Sequence, residues 1–234
     1  MQKLKVLGLA LMAMFAIGIA VSATASAAEV PEFLCLGTCS FPITFTGKIA
    51  TGKLLTAIGS VECTEAGTTE GEITSAKKGT AKSIDFKGCL LAANKEKCNT
   101  TTDAAGVILL NSVAFHLVAY KLSAKLLAGI LFLPAEVLFE CGAVKIKVKG
   151  SPIALVAIES PITEAESKNL LLLWDIEEVG GKKKQDPEKC ELPAAICEGK
   201  TYGELANLGL GFETAVFEET HVLLVLSTDV KIDF

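Results

Sequence analysis

An alternation of inward and outward side chains over residues 135–150 restricts the fold more than any other feature of this chain. Val137, Phe139 and Cys141 alternate with Glu136, Leu138 and Glu140; beyond Gly142-Ala143, Val144, Ile146 and Val148 alternate with Lys145, Lys147 and Lys149. Successive side chains of a strand point to opposite faces, so a period of two marks a sheet with one buried face. A two-residue type II′ turn at Gly142-Ala143, with glycine supplying positive φ, fixes the register. It sets Phe139 opposite Ile146 and Val137 opposite Val148, with Glu140 opposite Lys145 and Glu136 opposite Lys149 on the other side. Apolar pairs on one face and opposite charges on the other describe a half-buried antiparallel hairpin. The lysine run is therefore read as a solvated strand face.

The same grammar continues elsewhere. Phe41, Ile43 and Phe45 alternate with Pro42, Thr44 and Thr46; Val61 and Cys63 alternate with Ser60, Glu62 and Thr64; Ile84 and Phe86 precede Gly88 and Cys89. These predict short strands separated by Gly, Thr and Lys turns. Residues 107–133 are apolar for longer stretches, interrupted by His116, Lys121 and Lys125, which suits strands buried on both faces better than a membrane helix. Within them, 123–133 offers a local helical alternative, because Leu126, Leu127 and Ile130 share a helical face, although Gly129 and Pro134 oppose it. Strands are also expected at 170–176, which carries Trp174, and at 212–218 and 222–234. A polar loop through Gly180-Gly181, Lys182–Lys184 and Asp186-Pro187 separates 170–176 from the last cysteines. Half of the residues are hydrophobic but only 6% are aromatic, so aliphatic side chains must fill the core.

Residues 1–28 read as a secretory signal peptide. Lys3 and Lys5 precede an apolar run at 6–21, and Ala25-Ser26-Ala27 offers small residues for cleavage after Ala27 or Ala28. The run is shorter than the roughly 20 residues of a membrane span, and no cysteine follows it directly, so neither a transmembrane nor a lipoprotein anchor is expected after cleavage. Residues 29–234 then form a single secreted β domain, placed outside the cell or in its envelope. In that setting the eight cysteines, Cys35, Cys39, Cys63, Cys89, Cys98, Cys141, Cys190 and Cys197, predict a disulfide framework. Strand logic pairs Cys63 with Cys141, short spacing pairs Cys89 with Cys98 and Cys190 with Cys197, and elimination leaves Cys35 with Cys39. A metal site is disfavoured, because Cys-x-x-Cys pairs are missing and His116 and His221 lie far from the cysteines in sequence.

All 22 basic residues are lysine and the formal net charge is −5, which argues against a nucleic-acid partner. Motifs that resemble chemistry have simpler explanations. Ser75-Ala76-Lys77-Lys78 has the Ser-x-x-Lys spacing but lies between Gly71 and Gly79 without its companion motifs, so it reads as a turn. His116 sits in an apolar run, and no Gly-x-Ser-x-Gly elbow is present. Glu177-Glu178 and Glu218-Glu219 are adjacent, so a strand would point the two members of each pair to opposite faces. Asp229 and Asp233 are too sparse for a calcium cage. Asn99-Thr100-Thr101 is a glycosylation sequon, and the 228–234 alternation is similar to the closing strand of an outer-membrane barrel. No residue is assigned as catalytic, cofactor-binding or metal-ligating, and no cofactor is expected.

The stretches Gly59-Ser60-Val61-Glu62-Cys63-Thr64, Phe86-Lys87-Gly88-Cys89, Phe139-Glu140-Cys141-Gly142, Val144-Lys145-Ile146-Lys147-Val148-Lys149-Gly150 and Asp186-Pro187-Glu188-Lys189 carry a resemblance. In them the chain resembles a group of secreted β-rich proteins of soil actinobacteria for which no function is established. The resemblance implies secretion and a β-rich domain, and it carries over no catalytic residue. The apolar 107–133 region and the Cys190/Cys197 pair depart from that group. The expectation is an all-β antiparallel sandwich, in part barrel-like, stapled by disulfides. Its first functional reading is a non-enzymatic extracellular structural or interaction module presenting loops or a sheet face to a cell-surface or extracellular partner. The alternative is a binding protein for an apolar small molecule or lipid, whose cavity residues 107–133 would line. A secreted hydrolase is the third.

Overall fold

The computed structural model describes residues 31–35, 40–56, 59–122, 125–134, 136–157, 165, 167–173, 177–179, 182–184, 187–189, 201–205, 213–218 and 221–233. The regular elements among them are β-strands: β1 (Glu32–Leu34), β2 (Ile43–Ile49), β3 (Gly52–Thr56), β4 (Gly59–Ser75), β5 (Lys78–Leu91), β6 (Cys98–Thr100), β7 (Ile108–Leu122), β8 (Lys125–Leu133), β9 (Val137–Cys141), β10 (Val144–Gly150), β11 (Ile153–Val156), β12 (Ser167–Leu173), β13 (Glu177–Val179), β14 (Lys182–Lys184), β15 (Pro187–Lys189), β16 (Thr201–Leu205), β17 (Glu213–Glu218) and β18 (His221–Asp233). Every ladder between them is antiparallel. All but the β13–β14 hairpin belong to one sheet. The fold is therefore all-β, as the alternation requires.

The sheet bends back on itself. From β18 the ladders run through β2, β4, β5, β7, β8, β11 and β12 and return to β18. This path is ring-like without being a closed barrel, because β11 is only four residues long and meets β12 through two residue pairs. A second curved path leaves the start of β4 through β3, β17, β16, β10, β9 and β6. It returns toward the end of β5 through the Leu90↔Lys97 bridge. The long pair β4–β5 is thus a wall of both halves. Its ladder shifts register between Glu65 and Thr68, where the pair passes from one half to the other, and such bulges bend a strand and increase its twist.

Each half encloses its own core. Ile43, Phe45, Ile73, Phe115, Ile130 and Leu224 are among the side chains filling the larger one, and Leu54, Val61, Phe139, Ile146 and Val148 the smaller. A third cluster, with Val118, Tyr120, Leu131, Ile153 and Leu155, lies on the outer side of β7, β8 and β11. Strand β11 is consequently buried on both faces.

The expected hairpin forms with its expected register. Phe139 pairs with Ile146, Val137 with Val148 and Glu140 with Lys145, and Gly142 has φ of 59°. Glu140 meets Lys145 at 2.9 Å, while Glu136 reaches Lys147 at 3.1 Å, one step along the diagonal. Residues 125–133 are strand β8, which corrects the helical alternative. Ala128, Ile130 and Phe132 pack into the larger core while Leu127, Leu131 and Leu133 pack into the outer cluster, so both alternating sets are occupied.

Two other expectations are corrected. The strands at 59–75 and 78–91 are long, 17 and 14 residues, rather than short pieces broken at glycines. Gly71 and Gly79 are paired strand residues that make room for close neighbours: a Cβ on Gly71 would lie 2.3 Å from the Thr80 carbonyl oxygen and 2.5 Å from Phe45, and one on Gly79 2.3 Å from Phe115. The disulfides are Cys63–Cys89 and Cys98–Cys141, not Cys63–Cys141 and Cys89–Cys98. Both join residues directly opposite on neighbouring strands, β4 with β5 and β6 with β9, whereas β5 and β6 are linked by an isolated bridge. Cys35 is also disulfide-bonded; Cys39, Cys190 and Cys197 lie outside the described residues, as do the signal segment and Trp174.

Candidate functional site

Where the two halves meet, an apolar cleft opens with an empty volume of ≈ 930 Å³, counting the part open to solvent. Alternation on β5 and β7 supplies one wall. Ile84 and Phe86 pair with Leu110 and Ile108, and the same register points all four toward the cleft. Phe86 and Leu110 pack against both the larger and the smaller core, so these side chains span the junction. The opposite wall comes from Leu54 and Val61, which pair across β3–β4, and from Val137, Phe139 and Val148 of the hairpin. Phe132 and Pro134 at the end of β8, with Pro152, complete it.

The lining residues include no Ser, Thr, His, Asp or Glu. Lys53 and Lys149 are its ionisable members, and Lys53 is held by Glu62 at 3.6 Å. A smaller apolar cavity, ≈ 370 Å³ on the same measure, lies inside the larger half and shares Ile84 and Phe132 with the cleft. Its one polar lining side chain is Thr69, whose Oγ1 donates to the Ser83 carbonyl at 2.7 Å. A buried hydroxyl satisfied in this way costs little and leaves the cavity apolar in character.

The residues singled out for chemistry are dispersed. Ser75 pairs with Lys78 across the β4–β5 hairpin, confirming the turn, and Lys77 binds Glu32 at 3.2 Å. His116 is half-buried on β7, opposite Lys78 on one side and Leu131 on the other, and His221 is exposed at the start of β18. Glu177 and Glu178 pair in register with Lys184 and Lys183, Glu218 stands opposite Lys53, and Glu219 lies outside the described residues. Asp233 binds Lys231 at 3.3 Å. Asn99 is half-buried in β6, its amide donating to the Thr100 carbonyl at 3.1 Å. Among the described residues no group of three or more His, Cys, Asp or Glu is placed to hold a metal ion.

Searches against protein-family models, curated proteins and solved structures give no match to the chain. Core disulfides point to an oxidising, extracytoplasmic setting, and no helix among the described residues is long and apolar enough to cross a membrane. Sequence reasoning named one part of the cleft, since Ile108, Leu110, Val113 and Phe132 come from the apolar 107–133 region. The wall built from Leu54, Val61, Val137, Phe139 and Val148 looks like ordinary core in sequence, and only the apposition of the two halves turns it into a site.

Proposed function

We propose that the protein is an extracellular binding protein for an apolar small molecule or lipid. The observation that carries this reading is the cleft between the two cores. It is walled by aliphatic and aromatic side chains, the lining usual for sites that take apolar ligands. Burying an apolar ligand there gains about 25 cal/mol per Å² removed from water. The disulfides stiffen the strands behind one wall, which limits the ordering cost of binding. The test is a titration of delipidated, disulfide-intact protein with an environment-sensitive apolar fluorophore. Saturable one-to-one binding, competed by a long-chain alcohol, is expected; its absence from folded protein refutes the reading.

A second reading, an interaction module without a bound ligand, is favoured by the outer face of β18. Leu223 and Val225 are 44% and 45% exposed there, a partly apolar surface a partner would cover. Leu223→Lys with Val225→Lys should then abolish retention of the protein on its own cell envelope while leaving fluorophore binding intact. Export through the 1–28 signal peptide belongs to both readings, and N-terminal sequencing of secreted protein should begin at Ala28 or Glu29.

A further inference from the structure

We infer that the ligand is a linear, single-chain amphiphile, and that Phe132, with Ile84, is the partition that sets how long a chain the protein accepts. This rests on the reading of the interlobe cleft as a ligand site. Two observations favour a linear chain with one polar end. The cleft and the inner cavity of the larger half are separate spaces that share only Ile84 and Phe132, so they lie on either side of one wall. A ligand that fills the cleft up to this wall, and would continue past it once the wall is removed, is elongated. The lining of each is apolar, and the Thr69 hydroxyl proton inside is already spent on Ser83. A polar group carried inward would lose its water for at most the acceptor lone pairs of Thr69 Oγ1, so the polar end stays at the mouth.

Phe132 is suited to act as the partition. Its backbone amide donates to the Pro152 carbonyl at 2.9 Å, which fixes its position at the end of β8. Its ring meets Phe115 at 6.1 Å with a 54° tilt, and Phe115 meets Phe45 at 6.1 Å in turn. Phe45 and Phe115 both line the inner cavity. Removing the Phe132 ring joins the two spaces without touching the backbone contact to Pro152.

The experiment measures binding of primary alcohols from about eight to about eighteen carbons, by fluorophore displacement, to the wild type and to Phe132→Ala. Affinity should rise about fourfold per added methylene and level off at a certain length in the wild type. In Phe132→Ala the rise should continue through several more carbons. Phe132→Leu, a milder change that preserves an apolar side chain, should extend it less and serves if the alanine variant fails to fold. An α,ω-diol should bind roughly tenfold or more weakly than the alcohol of equal length, because its second hydroxyl is buried unpaired. If the wild type binds no alcohol, the ligand-binding reading itself falls. If it binds alcohols but neither variant moves the plateau, or the diol and a fused-ring alcohol bind as tightly as the linear one, this inference is overturned and the cleft remains a ligand site.

Discussion

Removing the Cys98–Cys141 disulfide tests both the strand order and the unexpected pairing. The bond closes a sequence separation of 43 residues between β6 and β9, and the chain-entropy relation gives about 4 kcal/mol for a loop of that length at 25 °C. Cys63–Cys89 spans 26 residues and comes to about 3.5 kcal/mol on the same relation. Cys98 and Cys141 are fully buried in the smaller core, so a double alanine variant also loses apolar contact, and the entropy figure is a lower bound. Total stabilities of about 5–15 kcal/mol make this a large fraction of the whole. Equilibrium urea unfolding of C98A/C141A should show a loss of at least about 4 kcal/mol. The urea dependence should steepen, because the released denatured chain exposes more surface. A loss below about 1 kcal/mol would refute the argument. So would a non-reducing peptide map in which Cys63 is linked to Cys141.

Gly67→Ala should destabilise by about 3 kcal/mol or more in thermal unfolding, since a Cβ there would sit 1.9 Å from the Asp85 carbonyl oxygen; a loss under 1 kcal/mol would mean that β4 and β5 are not so close. Gly142→Ala should cost about 1–2 kcal/mol from its positive φ, read as a lower urea midpoint at unchanged slope. Lys145→Ala should change stability by no more than about 0.5 kcal/mol, because the Glu140 pair is partly exposed; a larger drop would contradict its reading as a solvated face. Thr69→Val should cost about 1 kcal/mol by orphaning the Ser83 carbonyl while leaving alcohol binding within about twofold.

The elements most legible in the sequence are those whose determinants are local. Residues 137–148 carry both the alternation and the turn glycine, so register, faces and the Glu140–Lys145 pair all follow without knowledge of the rest. The stretch 64–83 misleads because its glycines resemble turn formers, whereas Gly71 and Gly79 are shaped by Phe45 and Phe115, distant in sequence. Disulfide pairing fails for the same reason. Cys63 meets Cys89 because β4 lies beside β5, and Cys98 meets Cys141 because β6 lies beside β9; spacing along the chain encodes neither adjacency. The cleft was half legible: the surplus of aliphatic residues at 107–133 signalled a cavity wall, but the opposing wall is supplied by segments as far apart as Leu54 and Val148.

The ladder between β2 and β18 has a consequence for timing. It joins Ile43–Ile49 to His221–Asp233, so strands from nearly opposite ends of the described chain must meet, and β18 also supplies the neighbour for β1 and β12. Contacts of such long sequence separation form late and slowly. A nascent chain lacking β18 leaves Phe33, Ile43, Phe45 and Leu170 without the surface that buries them. The larger core therefore stays open until β18 has been made and has docked between β2 and β12.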